Sequence, residues 1–262
     1  MIRAWAMAIR AWPMALAVPL MLAAAGCGRL PGATAAAGTV QRPDAVTDFH
    51  TLYSANCQAC HGAGGQNGPA TDLGNPEYQA LVDDTTLRKW ISGGMPGTQM
   101  PAFAQSAGGM LTDAQIGAII AGMRKEWAKP NAFAGATPPP YAQEPGGDVK
   151  RGQAAYQARC ASCHQGPARQ QVTSTVYLSL VSDQALRTII VAGRPDIGQP
   201  DWRLGYVPGS PNNLRNVKIQ PLDQNPLSAQ DVTDIVTYLG SLRNPAAVSA
   251  APQPVTRGDK HE

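Results

Sequence analysis

Apolar residues recur at helical spacing in two well-separated stretches of the chain. Ile116, Ile119, Ile120 and Met123 fall on one face of a 3.6-residue period, and Val232, Ile235, Val236 and Leu239 repeat that face 116 residues later. Each run follows a capping signature, Thr112 with Gln115 and Ser228 with Asp231, which predicts a helix start. A second helix is expected from Asp83/Asp84 to Gly93–Gly94, with its counterpart from Ser182/Asp183 to Gly193, where glycine ends the pattern. A further helix runs into Cys57 in one stretch and into Cys160 in the other. No segment of either stretch reads convincingly as a strand, so the pattern predicts an all-α fold with three helices per stretch.

The two stretches are copies of each other. At an offset of 103, Val46, Tyr53, Cys57, Cys60 and His61 match Val149, Tyr156, Cys160, Cys163 and His164. At an offset of 99, Tyr78, Leu81, Val82, Asp84, Leu87, Arg88 and Ile91 match Tyr177, Leu180, Val181, Asp183, Leu186, Arg187 and Ile190. The step from 99 to 116 places a 17-residue insertion within 203–226. Self-similarity on this scale indicates a duplicated domain, with copies at 44–128 and 148–244. The segment between them, 129–147, contains Pro138, Pro139 and Pro140 and reads as a semi-extended connector. Residues 245–262 form a polar, proline-containing tail with the composition of a disordered segment.

The N-terminus is of a different kind. Arg3 and Arg10 precede the apolar run AMALAVPLML, and no acidic residue stands before Cys27, which gives residues 1–26 the form of an export signal. The ending AAGC resembles a bacterial lipobox, which implies a lipid on Cys27 and a tether over 27–43; a plain secretory signal cleaved nearby is the alternative. Either way the mature chain is expected on the periplasmic side. Aromatics make up only 6% of the 262 residues, so each small core would gain from a large buried cofactor. Residues 43–128 carry eight Asp/Glu against four Lys/Arg (net −4), and 148–244 carry seven against ten (net +3). The unlike halves could orient a docked partner, and the balance gives no case for nucleic-acid binding.

CQACH (57–61) and CASCH (160–164) are the chemically decisive motifs. C-x-x-C-H spacing suits covalent haem attachment, in which two thiols add to the vinyl groups and the next histidine offers an axial nitrogen. A thioredoxin-like pair would need a βαβ setting, which is missing. A zinc site would need the two blocks to share one metal across the connector.

With SANCQACHG, NPEY, GTQMPAF and LTDAQI in order, the first block resembles a class I c-type cytochrome domain, and the second resembles it in the same order. The resemblance implies two tandem domains and two covalently bound haem c groups, on Cys57 and Cys60 and on Cys160 and Cys163. It implies His61 and Met100 as axial ligands of the first iron, with Met95 as a nearby rival aligned with Arg194, and His164 as proximal ligand of the second. GRPDIGQPDW breaks the family pattern by placing Gln199 where methionine is expected. Three options stand for that sixth position: the Gln199 amide oxygen, an open or water-filled site, or a replacement such as Lys218. A thioether favours ferrous iron and a higher potential than an oxygen donor, so the first haem is expected to be the higher.

Beside these, Trp90 and Trp202 are expected in or beside the haem pockets, Trp127, Met110 and Met123 in helix or core packing, and His50 on a helix surface. The resemblance implies a one-electron carrier, not an enzyme. Its expected partners are membrane-bound redox complexes such as quinol-oxidising complexes, terminal oxidases or dehydrogenases, reached from a lipid anchor. The rivals are an enzyme or gas-binding protein using an open second haem, or a haem subunit of a larger complex. No Glu occurs in 148–244, and its one histidine is the proximal one, which argues against peroxide chemistry.

Overall fold

Helices begin where the capping side chains stand. In the computed structural model, which describes residues 41–164, 170–203 and 225–243, α1 (Phe49–Asn56) is capped by Asp48, whose carboxylate accepts from the Thr51 N–H at 2.8 Å. The short α2 (Gln58–His61) follows directly. Next come α3 (Pro76–Leu81), α4 (Asp84–Gly93) and α5 (Asp113–Trp127), capped by Asn75, Asp83 and Thr112. The second half repeats the order with α6 (Val149–Arg159), α7 (Ala161–His164), α8 (Thr175–Leu180), α9 (Asp183–Ala192) and α10 (Ala229–Ser241). Both expected capping boxes form, Thr112 with Gln115 and Ser228 with Asp231. Among the described residues the only β-pairing is two isolated bridges.

The three long helices of each half stand where the pattern put them. The additional helices α3 and α8 were not expected. Asn75 followed by Pro76 is a strong start signal for α3, since Asn caps and Pro suits a first turn. Six residues, however, are too few to show an apolar period.

Equivalent residues build equivalent cores. Leu87, Ile116, Ile119, Ile120 and Met123 are buried in the first half, and Leu186, Val232, Ile235, Val236 and Leu239 in the second. Each such side chain contributes roughly 1.5–3 kcal/mol relative to exposure. An arginine from the end of the last long helix locks each core in the same way. Arg124 bonds the carbonyls of Gln79 and Val82 and the carboxylate of Asp84. Arg243 bonds the equivalent Leu178, Val181 and Asp183.

The crossing of the first and last long helices is close-packed in both halves by opposite means. In the first, Gly122 on α5 lies under the Phe49 ring of α1, and a Cβ there would come 2.1 Å from the ring. In the second, the glycine is Gly152 on α6, where a Cβ would lie 1.9 Å from the Asp234 carbonyl oxygen and 2.9 Å from the Tyr238 Cβ. Phe49 aligns with Gly152 and Gly122 with Tyr238, so the large and small partners have changed helices.

Residues from Asp44 onward form one unit, and the connector is fastened to both halves. Trp90 donates to the Tyr141 hydroxyl at 3.0 Å, while Gln184 donates to the Tyr141 carbonyl at 2.6 Å. Arg187, fully buried, donates to the Pro140 carbonyl at 2.8 Å and to Thr233 Oγ1 at 2.9 Å, and pairs with Glu144. Trp90 therefore serves the connector, with Lys89 over its ring at 4.7 Å. Trp127 packs edge-on to Phe49 and Tyr53 as helix packing requires. His50 is exposed and pairs with Glu126 at 2.9 Å. Met123 is core, but Met110, expected in packing, is 79% exposed because it lies in the turn before α5 and not on a helix.

No helix among the described residues is long and apolar enough to cross a membrane. The signal 1–26, Cys27, the tether up to residue 40, nearly all of the insertion with Lys218, and the tail lie outside the described residues.

Candidate haem-binding sites

The first CxxCH motif begins at a helix kink. Cys57 caps α1 and starts α2, and Tyr53, one turn earlier, donates from its hydroxyl to the Gly62 carbonyl at 2.9 Å, holding the motif against α1. His61 Nδ1 lies 2.8 Å from the Thr71 carbonyl oxygen. A carbonyl only accepts, so Nδ1 is the protonated nitrogen and Nε2 carries the lone pair that a metal needs. Burial holds the His61 ring below its ordinary pKa; the Arg194 charge acts in the same direction, against the Thr71 hydrogen bond. The ring is thus kept neutral and aimed, as an axial ligand must be.

None of the four motif cysteines is in a disulfide. Burial pushes the Cys57 and Cys160 thiols up to about 11, with the neighbouring Cys60 adding to the effect at Cys57. Such thiols are largely protonated at neutral pH and are poor exchange nucleophiles. No group of three or more metal-binding side chains gathers among the described residues. Neither the zinc nor the thioredoxin-like arrangement is assembled among the described residues.

The loops that follow α4 and α9 are closed by the same backbone hydrogen bond, and only the second adds its reverse, from the Gln199 N–H to the Arg194 carbonyl at 2.9 Å. The Met95 N–H donates to the Met100 carbonyl at 3.1 Å, and the Arg194 N–H donates to the Gln199 carbonyl at 2.9 Å. Each loop turns on a glycine, Gly94 (φ 73°, ψ 176°) and Gly193 (φ 74°, ψ 178°). A Cβ would lie 2.8 Å from the Met100 carbonyl oxygen at Gly94 and 2.9 Å from the Asp201 nitrogen at Gly193. This backbone region is essentially restricted to glycine. The alignment of Met100 with Gln199 is therefore physical, and so is that of Met95 with Arg194. Met100 is half-buried and packs on the first core, whereas Met95 is not part of that cluster.

In the second half, Gln199 Oε1 stands 3.1 Å from His164 Nε2, while the Gln199 amide nitrogen donates to the Pro200 carbonyl at 3.2 Å. The hydrogen-bond network fixes the amide with its oxygen toward the histidine. Trp202 is buried in the second core, with Nε1 lacking a partner; the Tyr156 hydroxyl lacks one as well. Orphaned buried donors are rare and call for a group that satisfies them. The residues present thus fit a haem in each half.

Sequence reasoning missed the residues that join the two sites. Asn75 is fully buried; its Oδ1 caps α3 while its Nδ2 donates to the last carbonyls of α9, Ala192 at 2.8 Å and Gly193 at 3.4 Å. Arg194, Asp196 and Asp72 are buried together. Neither oxygen of Asp72 has a partner at normal hydrogen-bond geometry. Burial first, and the nearby Asp196 carboxylate second, raise its pKa to about 7. The one available hint was Arg194 itself, the single charged residue at a loop position that holds an apolar methionine in the other copy.

Comparison with known proteins agrees with this site chemistry. The family model described as cytochrome c oxidase, cbb3-type, subunit III matches residues 44–121, and that described as cytochrome c matches 149–243. A relative, dihydro-heme d1 dehydrogenase from Pseudomonas aeruginosa, is 41% identical over 70 residues, which span 27% of this chain and 13% of that protein. Two helical domains, each with its motif and its glycine-hinged loop, are c-type cytochrome domains in tandem, and the chain belongs with the electron-transfer proteins that hold haem c covalently.

Proposed function

We propose that this chain is an exported dihaem cytochrome, one haem per half (44–128 and 148–244), relaying single electrons between membrane-bound redox complexes at the periplasmic face. When bound, haem iron supplies a one-electron couple. The chain's residues do the rest. Cys57 with Cys60, and Cys160 with Cys163, fasten the groups as thioethers. His61 and His164 would supply the histidine ligands, and Met100 and Gln199 the candidate second ligands of the first and second groups. The Thr71 carbonyl holds His61 in one orientation, which keeps rearrangement on electron transfer small.

The observation that supports this reading is the closing hydrogen bond shared by the Met95–Met100 and Arg194–Gln199 loops, with Gln199 Oε1 beside His164 Nε2. If Met100 and Gln199 filled the sixth positions, that would suit a carrier more than an enzyme needing an open coordination site. Lipidation at Cys27 would confine the protein to a plane and raise its local concentration near partners. The likeness to a cbb3-type oxidase subunit favours a terminal oxidase among them.

Potentiometric titration of the natively exported protein, followed by absorption and EPR, tests the reading. Two haems with separate potentials, the Met100 site higher, are expected. Two overlapping, high-potential, low-spin haems would refute that difference, and a colourless product whose mass shows no added haem would refute the reading. A second reading draws on the likeness to dihydro-heme d1 dehydrogenase: the domains would accept electrons within a dehydrogenase complex. Co-purification with such a complex from membranes, or rapid CO binding to half of the reduced haem, would favour it.

A further inference from the structure

The loop after the first motif and the loop that presents Gln199 form one hydrogen-bonded unit. Arg194 is 7% exposed and Asp196 5%. The guanidinium grips Asp196 bidentately, Nε to Oδ1 at 2.8 Å and Nη2 to Oδ2 at 2.7 Å. Its remaining reach crosses to the first half, Nη1 to the Ala70 carbonyl at 2.9 Å and Nη2 to the Gly68 carbonyl at 3.0 Å. Asp196 Oδ2 crosses too, accepting from the Asn67 N–H at 2.9 Å.

Both ends of this unit finish on site residues. Ala70 is followed by Thr71, whose carbonyl fixes His61 Nδ1. On the other side, Arg194 and Gln199 exchange both backbone hydrogen bonds, each 2.9 Å, around the left-handed Gly198. His61 is thus connected to Gln199 through Thr71, Ala70 and Arg194 without a break.

The choice of arginine has a physical reason. Burying a charge costs several kcal/mol unless excellent geometry repays it. Here the repayment comes only when both loops are in place, because the four acceptors of the guanidinium are divided between them. A planar fork meets four acceptors in fixed directions; a lysine ammonium would not. In the first half the same loop position is Met95, which keeps one of the two backbone bonds and has no charge to share.

The geometry points to Arg194 as a positioning residue that couples the two haem sites, orienting His61 through the 70–71 segment and Gln199 through its own backbone, so that a change at one site is felt at the other. The inference rests on the dihaem reading above. No bond is made or broken in it; one electron leaves one site and arrives at the other.

The test compares the haem-loaded parent with R194M, R194K and R203M. Arg203 also crosses between the halves, to Glu77 at 3.4 Å, without touching the 67–72 loop, so R203M reports loosening alone. A haem count comes first: a parent lacking two haems overturns the dihaem reading itself. With two haems present, R194M is expected to change the equilibrium of an electron between the sites at least tenfold, which is about 59 mV for a one-electron couple. The EPR signal of the His61 site should shift with it. R194K should give a smaller change in the same direction. R203M should lower the melting temperature yet move neither potential nor EPR. Parental potentials and spectra in both Arg194 variants would overturn the proposal, as would an R203M that reproduces the R194M shifts. Should R194M fail to assemble, R194K decides by the same criterion.

Discussion

Gln199 presents its amide oxygen to Nε2 of His164 at 3.1 Å, with its amide nitrogen turned onto Pro200. An oxygen donor favours ferric iron and a thioether favours ferrous. Q199M should therefore raise the potential of the second site toward that of the first, by more than the roughly 59 mV that marks a tenfold change. Q199A should leave that site open, with a high-spin EPR signal and CO binding to half the haem. A redox titration indifferent to both substitutions would remove Gln199 from the iron.

Met100 and Met95 are separable by the same means. Met100 packs on the first core from a turn closed by the Met95 N–H. M100A should lower the first potential and convert that haem to high spin, while M95L should leave both potentials as they are, since only the Met95 backbone takes part. The reverse result, read in the EPR spectrum, would exchange their roles.

Asp72 gives stability a pH dependence of definite sign. Its folded pKa of about 7 lies above the ordinary carboxylate value, chiefly through burial and then through Asp196. Between about pH 4 and pH 7 the folded chain therefore holds a proton that the unfolded chain releases, and stability falls as pH rises through that window, by at most about 1.4 kcal/mol per unit. Asp196, hydrogen-bonded to Arg194, has its pKa lowered against the opposing effect of burial, so its contribution is lost only at lower pH. Urea unfolding at pH 5 and pH 8 should show the parent losing stability and D72N losing less. Equal slopes would assign the dependence elsewhere.

Arg187 ties the connector to the second core from a fully buried position. R187A leaves the Thr233 hydroxyl and the Pro140 carbonyl short of a donor, at a cost of about 2–4 kcal/mol. The equivalent R88A, on an exposed arginine bonded at 3.4 Å, should cost less than about 0.5 kcal/mol. Denaturation midpoints of the two variants check the contrast.

Much of this architecture was legible before any coordinates. Caps such as Thr112 and Ser228, and apolar faces such as Ile116–Ile119–Ile120, are local signals, and local signals survive in one sequence. The duplication, the motifs and the Met100–Gln199 correspondence were legible because the second copy serves as its own comparison. Arg194 with Gly68 and Ala70, and Arg187 with Pro140, were not. Their partners are backbone carbonyls more than forty residues away, and a carbonyl leaves no mark on residue identity. The hydrogen bond from Trp90 to Tyr141 was hidden for a related reason, since nothing in the sequence says that Tyr141 folds back to meet it.

The exchanged partners at the helix crossing have a consequence for how the polypeptide is made. Twin sequences emerging from one ribosome risk trading segments, a common failure of repeated folds. Here such a hybrid is self-defeating: α1 laid on α10 would drive Phe49 into Tyr238, and α6 laid on α5 would set Gly152 opposite Gly122 across a void. Each twin accepts only its own complement, so divergence at two positions acts as a sorting code for the nascent chain.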